Sequence, residues 1–473
     1  MENIIQQKQQ GGNHVFQERQ FFFSLVKISI PVVLESLLDN AVHLVDGLMI
    51  AILISKRGLT ILGTSQPFYN LVFFTYLAWS IFGTIVMARL IGKRDYERVQ
   101  RFFIFQIFGA MMIGIIAWLG CLFFSKEIIS FLYHSNYVSE QTRGEILQEG
   151  KKFLQIISFT FPFTGFTIIS ITSLYLSNIF IIPILISSLS LIGNVAGNYF
   201  FIKILGFGVE GSAYSTVIIR LIEWILILTF LIWKKPRFFN LNKLSIKFDK
   251  GFYQATKKMF PLILFNEIQL AISISAQFII FFYFGGEIPY AAHVLNISII
   301  SIFYSIFSVC SITVPYFVGK SLGKKREILA KIQADRILKY FLILSILTGI
   351  FCLLSAQLVP RIKNINRQTA ELSRYFISWQ SLSISWQLIS TLFYSLFRTG
   401  GKIKFIIPLN AALTWILTVI CPIIVFMVLE NILFFSPISA SKIVISFISL
   451  AEGLISLTFF ILYKKTKWTG KII

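Results

Sequence analysis

Glu35, Asp39, His43 and Asp46 lie within one short stretch of chain. At about 100° per residue they share a helical arc of about 80°. The run that carries them, 28–54, is apolar and long enough to cross a bilayer. An ionised acid at mid-bilayer costs about 2.5–3.5 kcal/mol on insertion scales, so such a stripe must face protein or water. A carboxylate held there can exchange a proton for another cation. The plainer alternative is that Glu35 and Asp39 only bond neighbouring helices.

Uncharged polar stripes recur at spacing 0, 3, 7, 11 in three further apolar runs. They are Ser187, Ser190, Asn194 and Asn198; Asn266, Gln269, Ser273 and Gln277; and Gln380, Ser383, Gln387 and Thr391. Each alone reads as interhelical hydrogen bonding. Three of them beside an acidic stripe point to a wet central cavity. Glu223, Glu267 and Glu452 are further acids in apolar runs, and Arg220 is placed to pair with Glu223. Gly206-Phe-Gly208-Val-Glu-Gly211 fits a dinucleotide-binding pattern, but that reading needs a preceding strand in a βαβ unit. Between two apolar runs the glycines instead suit a tight turn where helices approach closely.

These residues must be positioned by membrane helices. Of 473 residues, 56% are hydrophobic and only 14% charged, and the mean hydropathy is +0.77. Soluble domains run near 45–50% apolar and about 25% charged, and disorder needs low hydrophobicity. Twelve apolar runs are predicted as spanning helices: 28–54, 60–88, 102–124, 153–176, 179–205, 212–233, 259–284, 290–318, 337–359, 375–397, 403–429 and 441–463. Prolines in or at the ends of these runs, such as Pro31, Pro162, Pro261 and Pro315, predict kinks. The four cysteines all lie in apolar runs, so no disulfide framework or metal site is expected. No cleavable signal is expected either, because residues 1–20 are polar.

With the N-terminus inside, the inner segments hold thirty Lys and Arg and the outer loops twelve. Both termini are therefore expected in the cytoplasm, at a plasma membrane. That excess explains the net charge of +22 without nucleic acid, since anionic lipid attracts it. The expected organisation is a tail (1–27), a first bundle (28–233), a basic linker (234–258), a second bundle (259–463) and a tail (464–473). The halves repeat. Lys27 and Pro31 match Lys257 and Pro261 at an offset of 230, and Arg89-Leu-Ile-Gly92 matches Lys320-Ser-Leu-Gly323 at 231. Six spans is even, so the two bundles would be related by a pseudo-twofold axis along the membrane normal, as in parallel-repeat transporters.

With these residues in place, the chain resembles the multidrug and toxic compound extrusion (MATE) family from about Lys27 to Tyr463. Pro31 is followed fifteen residues later by Asp46, and Asn194 precedes LGFGVEGSAYST, Leu205 to Thr216. Ala291-Ala292-His293 and the two Gly-Lys/Arg loops also fit. The resemblance implies two six-helix bundles exporting organic, often cationic, compounds in exchange for H⁺ or Na⁺. It also places Asn194 and Thr216 on polar pocket positions. Departures are plain: Asn198, Gln269 (with Glu267 two residues early) and Gln387 stand where the family commonly carries acids, and Arg398-Thr-Gly400 keeps only part of a loop signature. Asp46, with Asp39 and Glu35, is left as the candidate coupling set. Asn194, Asn198, Thr216, Asn266, Glu267, Gln269 and Gln387 are the candidate cavity lining.

The expected protein is thus a monomeric antiporter of small molecules working by alternating access, with no cofactor beyond its coupling ion and no enzymatic activity. One alternative is a flippase of lipid-linked precursors; an acidic or neutral interior disfavours an anionic headgroup. A membrane acyltransferase using His43 or His293 is a further alternative, though nothing arranges a nucleophile beside either.

Overall fold

The computed structural model describes residues 2–54, 56–132, 140–239, 249–361 and 366–470, apart from the side chains of 2–17 and of scattered positions that include His43. The acidic stripe's histidine therefore lies outside the described side chains. Among the described residues every regular element is helical. The first half carries α1 (Glu2–Leu53), α2 (Lys56–Gly92), α3 (Tyr96–Leu132), α4 (Glu140–Ser158), α5 (Phe161–Leu176), α6 (Ile181–Asn198) and α7 (Gly208–Lys234). The second carries α8 (Lys250–Tyr283), α9 (Glu287–Tyr304), α10 (Ser308–Val314), α11 (Lys320–Gly323), α12 (Glu327–Ala356), α13 (Arg367–Gly400), α14 (Ile403–Trp415), α15 (Cys421–Asn431) and α16 (Pro437–Lys465).

Ten stretches among the described residues are single helices long and apolar enough to cross a membrane. An eleventh is the pair α4–α5, which bends by 44°. The break has a local cause. Pro162 has no N–H to continue the ladder, and α4 closes with tightened bonds from Phe159 N to Ile156 O and Thr160 N to Ile157 O. Tyr76 Oη donates to Phe161 O at 2.7 Å, satisfying a carbonyl beside the break. The twelfth is α13. It is less apolar because it carries Gln380, Ser383, Ser390, Ser395 and Thr399, but all of these are buried, so its polarity faces protein rather than lipid. The chain is an all-α multi-pass membrane protein with six spans in each half. Spans eight and eleven are each interrupted by a π-helical turn, Pro315–Gly319 and Ile416–Ile420.

The chain divides into two compact units, 34–271 and 272–472 together with 1–33. The boundaries fall inside α1 and α8, so the linker expected at 234–258 lies within the first unit. The N-terminal end of α1 is packed on second-half helices. Phe21 is 4.8 Å from Phe317, with the Arg336 guanidinium over its ring. Within the other unit, the start of α8 is held by first-half helices: Phe252 lies 5.0 Å from Phe102 and 6.0 Å from Phe105. Phe21 and Arg336 are each 231 residues from Phe252 and Phe105. The same contact is thus made twice, which gives the internal repeat a structural counterpart.

Each unit also clasps the segment after its sixth span. In the first, Phe238 packs on Phe103 at 4.9 Å and Gln100 Nε2 donates to Arg237 O. In the second, Trp468 stacks on Tyr463 at 5.8 Å and Thr469 Oγ1 donates to Glu327 Oε2.

Candidate cation-exchange site

The site begins with how closely α6 and α7 approach. After α6 the chain makes a π-helical turn, Tyr199–Ile204, then reverses through Gly206 (φ 69°) and Gly208 (φ 60°). Both are left-handed positions that favour glycine. A Cβ on Gly211 would lie 3.0 Å from the Phe201 backbone, and one on Gly197 would meet the Ser215 side chain. These three features make the close turn that the glycine pattern predicts. They bring Asn194 and Asn198 of α6 opposite Ser212, Ser215 and Thr216 of α7.

Asp46 of α1, 8% exposed, completes the group. Asn198 Nδ2 donates to Asp46 Oδ1 at 2.7 Å and lies 3.1 Å from Asn194 Oδ1. Ser212 Oγ is 3.4 Å from the same carboxylate oxygen, and Thr216 Oγ1 is 3.5 Å from Asp46 Oδ2. Thr216 has one hydroxyl proton, and its shorter acceptor is Ser212 O at 3.0 Å. The 3.5 Å contact can therefore reverse, with a protonated Asp46 donating to Thr216. A carboxyl group in this position keeps hydrogen-bond partners in either protonation state.

A second group sits farther towards the start of α1. Arg220 Nη2 is 3.0 Å from Asp39 Oδ1 and Arg220 Nη1 is 2.9 Å from Glu223 Oε2. Arg220 and Glu223 are buried and Asp39 is partly exposed. Glu35 lies within electrostatic reach of all three, and Tyr69 within reach of Arg220, Asp39, Asp46 and Glu223. The acidic stripe is thus split: Asp39 is tied to a fixed cation, whereas Asp46 is held by neutral donors.

Asn266, Glu267 and Gln269 lie on α8 in the same unit, all buried, with Asn266 Nδ2 3.4 Å from Glu267 Oε1. The Gln269 amide has no hydrogen-bond partner among the described residues. Gln387 lies in the other unit, on α13, bonding Ser383 Oγ at 3.2 Å. His293 is fully buried, stacked 4.4 Å from Phe281 and edge-on to Phe278 at 4.9 Å, with neither ring nitrogen hydrogen-bonded among the described residues. That is an aromatic packing slot, without the partner that orients a general base. No cluster of three metal-ligating side chains occurs among the described residues.

Reading by motif singles out Thr216 on α7, reads Arg220 and Glu223 only as a pair with each other, and passes over Ser212 as a site residue. Ser212, Thr216, Arg220 and Glu223 recur at spacing 4, 4 and 3, which is one helical face. That periodicity puts the four on one face of α7; that the face meets Asp46 through Ser212 and Asp39 through Arg220 is set by the packing of α1 on α7.

A family model for MatE matches residues 31–200 and 261–424. Among curated proteins, the multidrug export protein MepA of Staphylococcus saprophyticus is 22% identical over 150 residues, 32% of each chain. MepA of Staphylococcus haemolyticus is 26% identical over 184 residues, covering 37% of this chain and 41% of that one. The chain therefore spans about a third to two-fifths of the length of these relatives. Among solved structures, the Vibrio cholerae MATE transporter VcmN in its bent form superposes with a TM-score of 0.78 at 13% identity, over 95% of this chain and 97% of that one. This likeness is one of fold. The family model covers well over half of the sequence, in two blocks that follow the internal repeat, and on that basis the chain belongs to the MatE family of membrane transporters.

Proposed function

We propose that this protein exports organic compounds, cationic or amphiphilic, in exchange for H⁺ or Na⁺, working as a monomer by alternating access at the plasma membrane with both termini cytoplasmic. Asp46 is the coupling group in this reading. The observation that carries it is the Asp46 carboxylate buried at the meeting of α1, α6 and α7 among side chains that serve either protonation state. Cation binding at Asp46 then alters contacts among three helices at once, which is how a small charge change biases two packed states. Asn194, Asn198 and Thr216 tune Asp46. Asp39 and Glu35 assist Asp46 in coupling, and Asn266, Glu267 and Gln269 line the cavity of the first unit, as Gln387 does that of the second. Around Arg220 the acids Glu35, Asp39 and Glu223 outnumber that one cation, which favours a cationic over an anionic cargo there.

Reconstituted protein tests the reading. Efflux of ethidium from proteoliposomes should respond to an imposed H⁺ or Na⁺ gradient, and Asp46→Asn should abolish that response while the protein still elutes as a single folded species. Unaltered gradient-driven efflux by the variant would overturn the assignment.

A further inference from the structure

We propose that Glu452 in the second unit is an anchor for the positive charge of an organic cation, a site separate from Asp46. The proposal rests on the export reading above, because it names where in this chain a cationic substrate is held. Glu452 lies on α16. Leu450, Leu454, Leu457 and Ile461 are exposed on one side of that helix, the side suited to lipid. At about 100° per residue Glu452 points roughly opposite to them. It falls on the arc of the buried Ile448, Ile455 and Phe459. Unlike them, Glu452 is only partly buried. Its accessible surface therefore opens away from the lipid-facing side of α16.

What surrounds the carboxyl group is neutral. The Gln387 side chain lies beside it and beside the Tyr304 phenol, and Tyr304 is within electrostatic reach. The Trp386 indole is 38% exposed. It lies so near α16 that a Cβ on Gly453, next to Glu452, would be 3.4 Å from its Nε1. No Lys or Arg among the described residues forms an ion pair with Glu452, in contrast to Asp39 and Glu223, which share Arg220. An acid inside the membrane without a counter-ion must carry a proton or meet a cation. A carboxyl group with a phenol and an indole close by has the chemistry that recognises protonated amines and other organic cations: one formal charge and π faces. Gln387 would then hold the carboxyl group in place rather than bind the cation itself.

The test compares two probes of similar size on the purified full-length protein in detergent: the cation tetraphenylphosphonium and the neutral triphenylphosphine oxide. Glu452→Gln should weaken tetraphenylphosphonium binding about tenfold, the loss of one charge–charge contact, and leave the oxide within about twofold. Trp386→Phe should weaken the cation less and report any loss of packing. Equal binding of the cation by Glu452→Gln and native protein would overturn the anchor while leaving export intact. So would an equal loss for both probes, which would signal packing rather than charge. If the native protein bound neither probe, the export reading would fall and the anchor with it.

Discussion

Asp39 and Glu223 share one guanidinium: Arg220 reaches both, at 3.0 and 2.9 Å, from within the membrane-spanning part of α7. Glu223 is three residues along the same helix and would bond Arg220 without tertiary structure. Asp39 is the informative partner, because it ties α1 to α7 about two turns along the same face from Asp46. Asp39 and Asp46 consequently sit in different surroundings. Asp39 is neutralised by a fixed cation, and Asp46 is contacted by neutral side chains.

Removing that cation should be costly. Arg220→Leu leaves Glu223 and Asp39 without their shared counter-ion, and breaking a buried pair by one partner typically costs about 3–5 kcal/mol. Asp39 is partly exposed, so the loss should fall at the lower end. Replacing all three, with Asp39→Asn and Glu223→Gln added, should recover most of it. Thermal unfolding in detergent reads both outcomes. A single variant melting at the native temperature would show that the pair contributes nothing.

Asn198 Nδ2 lies 2.7 Å from Asp46 Oδ1. A hydrogen bond to a charged group contributes about 1.5–3 kcal/mol, so Asn198→Ala should lose transport by tenfold or more with the fold retained. Asn194→Ala, one contact removed, should lose less. Comparing initial efflux rates in proteoliposomes orders the two, and the reverse order would place the coupling network elsewhere.

Much of this arrangement is legible without coordinates. Pro31, Asp46, Asn194 and the Gly206–Thr216 turn are local patterns, and local patterns survive as sequence. The Asp39–Arg220 pair is not of that kind: it depends on how α1 is rotated against α7, which no spacing along either helix states. Helix α13 shows a different limit. Its polar residues break an apolarity count, yet it is buried along most of its length, because position in the bundle rather than composition decides what a helix may carry. The packing of α1's start on Arg336 and Phe317 is likewise a long-range fact, readable only through the repeat that places Phe252 near Phe105.

The glycine turn makes a steric prediction. A Cβ at Gly211 would press on the Phe201 backbone at 3.0 Å, and backbone cannot yield as a side-chain tip does. Gly211→Ala should destabilise by about 1–3 kcal/mol and loosen the approach of α7 to α6. Gly206→Ala, with open space around it but a φ of 69°, should cost about 1 kcal/mol from conformation alone. Unfolding temperatures of the two variants separate clash from backbone strain.

The linker clasp makes a pH prediction. Asp249 accepts from Gly251 N at 2.8 Å and pairs with Arg98 at 2.5 Å. The Gly251 amide, ahead of Arg98, holds its carboxyl group below the ordinary aspartate range. A depressed folded-state value stabilises above the unfolded value, about pH 4, and the gain is lost as pH falls through the folded one. Both side chains are partly solvated, so an Arg98–Asp249 double-mutant cycle should give only about 0.2–1 kcal/mol at pH 7. The coupling should shrink in 1 M salt and be lost as pH falls below the ordinary aspartate range and through the depressed folded-state value. Coupling that persisted unchanged at low pH would mean that packing of Phe252 against Phe102, not charge, closes the clasp.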